Sequence, residues 1–178
     1  YKDIFFYQNY FQKLNIPEKE LEVNVSDALK KIYYWLSAEG YLDSVKTSPK
    51  IDSGLLDGLP YPNKNLPWLN IKDLKVVSDK FKKHGLRGSI NRYRAQDIDW
   101  EELKELDYLK ISQPSLFIGG EYDAVRFFIK DYDAYKNPEK YCDDFRGKYI
   151  INNAGHWVQQ EKAEEVNEAI KKFLFELY

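Results

Sequence analysis

Asn152-Asn153-Ala154-Gly155-His156-Trp157-Val158-Gln159-Gln160-Glu161 is the stretch whose reading decides the fold. It follows an apolar run, Tyr149-Ile150-Ile151, that reads as a strand, and it precedes a long amphipathic run that reads as a final helix. A histidine on a glycine-containing loop between strand and helix stands where an α/β fold gathers its ligand and catalytic groups. His156 is one of only two histidines in the chain. The other, His84, lies in Lys82-Lys83-His84-Gly85, at a predicted helix C-terminus where a cation suits the dipole.

Upstream, Ser115-Leu116-Phe117-Ile118-Gly119-Gly120 is a second short apolar run, ended by two glycines, and reads as a buried strand. Glu121-Tyr122-Asp123 follows, then a helix-like run over Val125–Tyr132 and a loop through Pro138. The final helix, Ala163–Leu177, sets Val166, Ala169, Ile170, Phe173, Leu174 and Leu177 on one face. Residues 109–178 therefore alternate strand, helix, strand, helix, the pattern of a parallel sheet. Two strands are too few to make such a sheet alone, so further strands are expected upstream of Tyr1. The chain begins at Tyr1 and contains no methionine, which agrees with a piece of a longer product.

Asp123 and His156 each follow a predicted parallel strand. An acid after one strand and a histidine after the next is the order of the last two members of a hydrolase triad whose nucleophile precedes both. The carboxylate fixes the imidazole tautomer, and the imidazole takes a proton from the attacking group. The plain alternative is that Asp123 only caps the helix after it, which Asp does well.

Residues 1–108 have another character. Tyr1–Gln12 is aromatic. A helical region opens at Pro17-Glu18-Lys19-Glu20, runs with an apolar period through Ser26, Leu29, Ile32, Tyr33 and Leu36 to Ala38, and closes at Gly40. Residues 41–69 show no period and carry Gly54, Gly58, Pro60, Pro62 and Pro67, the composition of a long irregular loop. Asn70, with Asp73 three residues on, predicts the start of a helix over Ile71–Lys83 that Gly85 ends. Gly85-Leu86-Arg87-Gly88 reads as a tight turn, and short helices are expected from Ser89 and from Asp99.

Composition excludes several classes. A net charge of -2 with interleaved signs is no nucleic-acid footprint and no polybasic membrane patch. No apolar run approaches the ~20 residues of a membrane helix. The single cysteine, Cys142, excludes an internal disulfide and a cysteine-based metal site. Aromatic residues make up 16%, with 15 Tyr, enough to line a pocket and enough that most tyrosines simply pack.

Six segments, in order, resemble the α/β-hydrolase-fold epoxide hydrolases. They are Tyr7-Gln8-Asn9-Tyr10-Phe11-Gln12, Leu66-Pro67-Trp68-Leu69 with Asp73-Leu74, Gly85 through Arg94, Asp99-Trp100, Gly120-Glu121-Tyr122-Asp123 and Gly155 through Glu161. The resemblance implies an incomplete α/β-hydrolase fold. Residues 1–108 would form a helical cap with its entry segment, and residues 109–178 the C-terminal βαβα part of the core. It implies opening of epoxides to vicinal diols through an Asp ester that a His156-activated water hydrolyses, with Asp123 orienting the imidazole.

By the same resemblance, Tyr93 and Tyr7 donate from the cap to the epoxide oxygen. Tyr7, which is followed directly by Gln8, matches the motif better than Tyr10. Gln8, Trp157 and Trp68 are candidate substrate contacts. The nucleophilic Asp is expected upstream of this chain. No metal or organic cofactor is required. The expected partners are a small hydrophobic epoxide, water and the remainder of the same hydrolase chain, with no nucleic acid and no membrane span, in a cytoplasmic setting. Two alternatives stay open: a haloalkane or haloacetate dehalogenase, and a non-catalytic relative that binds a small molecule.

Overall fold

Local signals start and stop the helices of the computed structural model, which describes residues 5–44, 52–62, 65–106 and 108–177. In chain order these are α1 (Tyr7–Gln12), α2 (Ile16–Val23), α3 (Val25–Trp35), α4 (Ala38–Ser44), α5 (Ile71–His84), α6 (Arg87–Arg94) and α7 (Gln96–Glu102). Strands β1 (Ser115–Gly120) and β2 (Phe145–Ile151) follow, then α8 (Val158–Glu161) and α9 (Ala163–Phe175). The described residues group into two compact units. One is Tyr1–Trp35 with Asp43–Glu105, and the other is Leu36–Leu42 with Leu106–Tyr178.

The first unit is helical. Pro17 sits in the first turn of α2, where its missing N–H is harmless. Asn70 caps α5 by accepting the Asp73 N–H at 2.9 Å, and Gly85 ends it at φ 73°. The core joins Tyr10, Phe11, Leu21, Val25, Ala28, Leu29, Leu55, Leu86 and Ile90. A fully buried leucine such as Leu21 contributes roughly 1.5–3 kcal/mol.

Two carboxylates tie the irregular segments down. Glu20 accepts the N–H groups of Leu55 and Leu56, each at 2.9 Å, and the Tyr10 hydroxyl at 2.6 Å. A side chain at Gly54 would overlap the Glu20 carboxylate, which explains the glycine. Buried Glu18 accepts Arg94 Nη1 at 2.7 Å, while Arg94 also donates to the Phe11 and Lys13 carbonyls. The Arg94 hydrogen bond holds the Glu18 carboxyl below its ordinary value.

The second unit holds the sheet. β1 and β2 pair in parallel, Leu116 with Gly147 through Gly120 with Ile151, so both carboxyl ends lie side by side. Helix α9 packs on both strands, and Ala154, Val158 and Val166 are buried there, with half-buried Ile118 and Ile151 packed against them.

The structure corrects several expected boundaries. The helical region expected to run to Ala38 breaks at Asn24 (φ -144°, ψ 84°) and ends at Trp35. Gly40, expected as a stop, lies inside α4, and the loop expected from residue 41 begins later, since α4 continues to Ser44. Residues 45–51 and 63–64 of that loop lie outside the described residues, and the described remainder has no helix or strand. Arg87 and Gly88 are already helical, and the helix expected at Asp99 starts at Gln96.

β2 begins at Phe145, because its first four residues alternate between half-buried and exposed and so fit a pleat. The helix expected over Val125–Tyr132 is only a 3₁₀ turn, Ala124–Phe127. Asp123 accepts the Val125 N–H and starts it, and Asp131, at φ 60°, cannot continue a right-handed helix.

Candidate active site

Gly120 and Ile151 are partners in the ladder, so the loops after them start level. The first loop reaches Asp123 in three residues and the second reaches His156 in five. Backbone bonds lock the loops together. The Glu121 N–H donates to the Ile151 carbonyl at 3.0 Å and the Tyr122 N–H to the Ala154 carbonyl at 2.8 Å. The Glu121 carboxylate accepts the Asn153 N–H at 3.0 Å, where Asn153 takes φ 53°, a conformation asparagine tolerates.

The histidine and the acid meet. Nδ1 of His156 lies 3.1 Å from Oδ1 and 3.1 Å from Oδ2 of Asp123. Asp123 is 4% exposed and accepts two further hydrogen bonds, from the Val125 N–H at 2.9 Å and the Tyr135 hydroxyl at 2.6 Å. Burial alone would push this carboxyl up. The hydrogen bonds from His156, Tyr135 and Val125 outweigh it and hold the carboxyl below its ordinary value. The hydrogen bond to Asp123 raises His156, against the opposing effect of burial, and the nearby Glu161 carboxylate adds to the rise.

The histidine backbone is held as firmly as its ring. The His156 N–H donates to the Leu36 carbonyl at 2.9 Å. Glu161 gathers three backbone N–H groups, Gly155 at 3.1 Å, Trp157 at 3.2 Å and Ala38 at 2.9 Å. Burial raises the Glu161 carboxyl, while these three donors offset part of the effect. Gly155 makes the approach possible, because a Cβ there would lie 2.5 Å from the Ala38 nitrogen and 2.6 Å from the Leu36 oxygen. Trp157 stands edge-on to His156, with ring centroids 5.0 Å apart.

Tyr7 and Tyr93 meet within the helical unit, with ring centroids 5.5 Å apart at 85°. Gln8 Nε2 donates to the Tyr7 hydroxyl oxygen at 3.1 Å. A phenol oxygen that accepts a hydrogen bond is polarised into a stronger donor. Tyr10, by contrast, donates to half-buried Glu20, which commits its hydroxyl to structure. Trp68 packs against Tyr33 at 6.4 Å. Cys142 is half-buried with its sulfur 3.8 Å from the Pro138 carbonyl oxygen, and the described residues hold no cluster of metal-ligating side chains. The structure thus brings together His156, Asp123 and Trp157 in one unit, and Tyr7, Gln8 and Tyr93 in the other.

Tyr135 and the strap formed by Glu161 escape a reading of the sequence. Glu161 closes a familiar motif, but nothing local shows that it binds Ala38. Tyr135 is one tyrosine of 15.

No family model matches the chain. Epoxide hydrolase A of Mycobacterium tuberculosis is 32% identical over 175 residues, which cover 96% of this chain and 52% of that protein. Epoxide hydrolase B of the same species is 28% identical over 193 residues, covering 95% and 53%. The bifunctional epoxide hydrolase 2 of Rattus norvegicus is 32% identical over 171 residues, covering 96% and 30%. Among solved structures, epoxide hydrolase A from Mycobacterium thermoresistibile superposes with a TM-score of 0.83 at 29% identity, over 97% of this chain and 52% of that one. Potato (Solanum tuberosum) epoxide hydrolase I gives 0.77 at 25% identity, over 96% and 52%. The chain spans about half the length of the bacterial relatives it matches.

Proposed function

We propose, from the premise that this chain is a relative of the α/β-hydrolase-fold epoxide hydrolases and spans about half their length, that it carries the histidine–acid pair of an epoxide-opening site. The observation that carries the reading is the seating of His156 Nδ1 on the buried Asp123 carboxylate at the carboxyl ends of two adjacent parallel strands.

The chemistry runs in two steps. An aspartate outside these 178 residues attacks one epoxide carbon, the C–O bond breaks, and an ester forms. The departing oxygen gathers negative charge, and a phenol with pKa near 10 donates a hydrogen bond and then a proton to it. Tyr93 and Tyr7 take that role, and Gln8 strengthens Tyr7 as a donor. His156 then removes a proton from water, which attacks the ester, and the resulting imidazolium is stabilised by Asp123. The ester breaks, the carboxylate is restored and a vicinal diol leaves, while the proton on the imidazolium replaces, through solvent, the one the phenol gave up. Trp157 and Trp68 serve as apolar substrate contacts. The reading needs no metal or organic cofactor. The pair of phenols favours epoxide over halide as the group opened, since a halide leaves without a proton.

The test is His156→Gln in the whole protein, with styrene oxide as substrate. Epoxide consumption stops after one equivalent per protein, no diol is released, and mass spectrometry finds the protein heavier by one epoxide. Sustained turnover in that variant would overturn the reading. Halide release from a chloroalkane without diol formation from the epoxide would replace it with the dehalogenase alternative.

A further inference from the structure

Asp123 accepts its shortest hydrogen bond from Tyr135, 2.6 Å to Oδ2, an oxygen that also faces His156 Nδ1 at 3.1 Å. One carboxylate oxygen therefore serves a phenol and an imidazole at once. Tyr135 is held where it is by more than this bond. Its ring stands edge-on to Phe117 at 4.8 Å and fills the space that Gly119 leaves, since a Cβ there would lie 2.7 Å from the ring. Its N–H donates to Asp133 at 2.9 Å. Asp133 pairs with Arg126 at 2.6 Å, and Arg126 also donates to the Glu121 carbonyl at 2.9 Å. The hydroxyl is thus aimed by strand, turn and ion pair.

We propose that Tyr135 is a positioning residue that tempers the His156–Asp123 pair, taking up part of the carboxylate charge at Oδ2 and limiting how strongly Asp123 favours the imidazolium. The gain is a larger share of neutral imidazole, the form able to take a proton from water, near neutral pH. Burial and the neighbouring carboxylate push the phenol far above its usual value, so it remains a donor across the working range. Among the described residues, the charged groups facing this pair are the following. Glu161 acts on His156, and Arg126 and Asp133 act on Tyr135, with Lys148 acting on Asp133. None of these groups is held through the Tyr135 hydroxyl. The proposal rests on the reading of His156 as the base.

The test follows the His156 ring by NMR in the whole protein labelled at histidine, with the resonance assigned by its loss in His156→Gln. In Tyr135→Phe the His156 midpoint rises by about half to one pKa unit, because Asp123 turns its full charge on the imidazole. The ascending, low-pH limb of the pH–rate profile moves up in pH by the same amount. Replacement of Tyr135 by 3-fluorotyrosine, a stronger donor with the ring kept in place, moves the midpoint down. A purely structural tyrosine gives the opposite first result, since a loosened Asp123 lets His156 fall toward its ordinary value. An unmoved midpoint in either variant, or a fall in Tyr135→Phe, overturns the proposal. If Tyr135→Phe does not fold, the fluorotyrosine result decides alone. Failure of the base reading is separate and appears as sustained turnover in His156→Gln.

Discussion

A side chain at Gly120 would overlap the carbonyl oxygen of Gly155 and come within 2.5 Å of that of Ala154. At Gly120 the end of β1 lies directly against the backbone of the histidine loop. Gly120→Ala must push the loop away, and overpacking of this kind costs about 1–3 kcal/mol. The expected result is a lower denaturation midpoint, measured in urea, together with a fall of the His156 titration toward its ordinary value. Unchanged values for both would show that the loop yields freely.

Asp123→Asn keeps the shape of the acid and removes its charge. His156 loses the partner that raises it, and the tautomer is no longer imposed. Ester hydrolysis should slow by about 10³–10⁴-fold, measured as single-turnover decay of the intermediate. In the unsubstituted protein that rate should climb with pH, because on the proposed reading the neutral base appears only as pH rises through the raised His156 value. Stability runs the other way. A raised folded value means that the pair's contribution is complete below the unfolded pKa of histidine and is lost as pH rises through the folded one.

Tyr93→Phe and Tyr7→Phe should each slow ester formation and leave ester hydrolysis alone. Loss of one donor to a developing oxyanion typically costs about 10²–10³ in rate. Stopped-flow measurement of the first step separates the two effects. A variant that slows only the second step removes that tyrosine from the proposed role.

Arg94→Met leaves Glu18 buried beside Arg87 alone, whose Nε is 3.6 Å away. Breaking one side of a buried pair costs roughly 3 kcal/mol, readable by chemical denaturation. Because Arg94 holds the Glu18 carboxyl low, the pair's contribution is present above the unfolded pKa of glutamate and fades as pH falls through the folded value. Arg94→Met should therefore flatten the acid limb of the stability profile. The double variant with Glu18→Gln should lose less than the two single changes together.

What the sequence makes legible follows the range of the interactions involved. α5 is readable because Asn70, Asp73 and Gly85 act within a turn of the backbone they cap. β1 is readable because an apolar run ended by two glycines has few other uses. The break after Trp35 is not readable, since the Leu36 carbonyl is claimed by His156, far along the chain. The short turn after Asp123 is likewise hidden, because Val125 through Tyr132 has helical composition and only the Asp123 side chain and the φ of Asp131 say otherwise. In the candidate site, Asp123 and His156 could be singled out by their order after two strands. Tyr135 could not, because its place depends on the absence of a side chain at Gly119 on the neighbouring strand.

The three residues Leu36, Ser37 and Ala38 lie more than a hundred positions before the histidine they support, yet they belong to its unit. The two units are therefore not separable by one cut. A chain trimmed to begin near Leu106 would keep both strands, Asp123 and His156, but would leave the His156 N–H and one oxygen of Glu161 without their partners. Closing that long loop carries its own entropy, so the histidine loop should be among the last parts to order as the chain folds. Swapping the helical segment between relatives has the same hazard, because a graft that disturbs the exit from α3 reaches the backbone that holds His156.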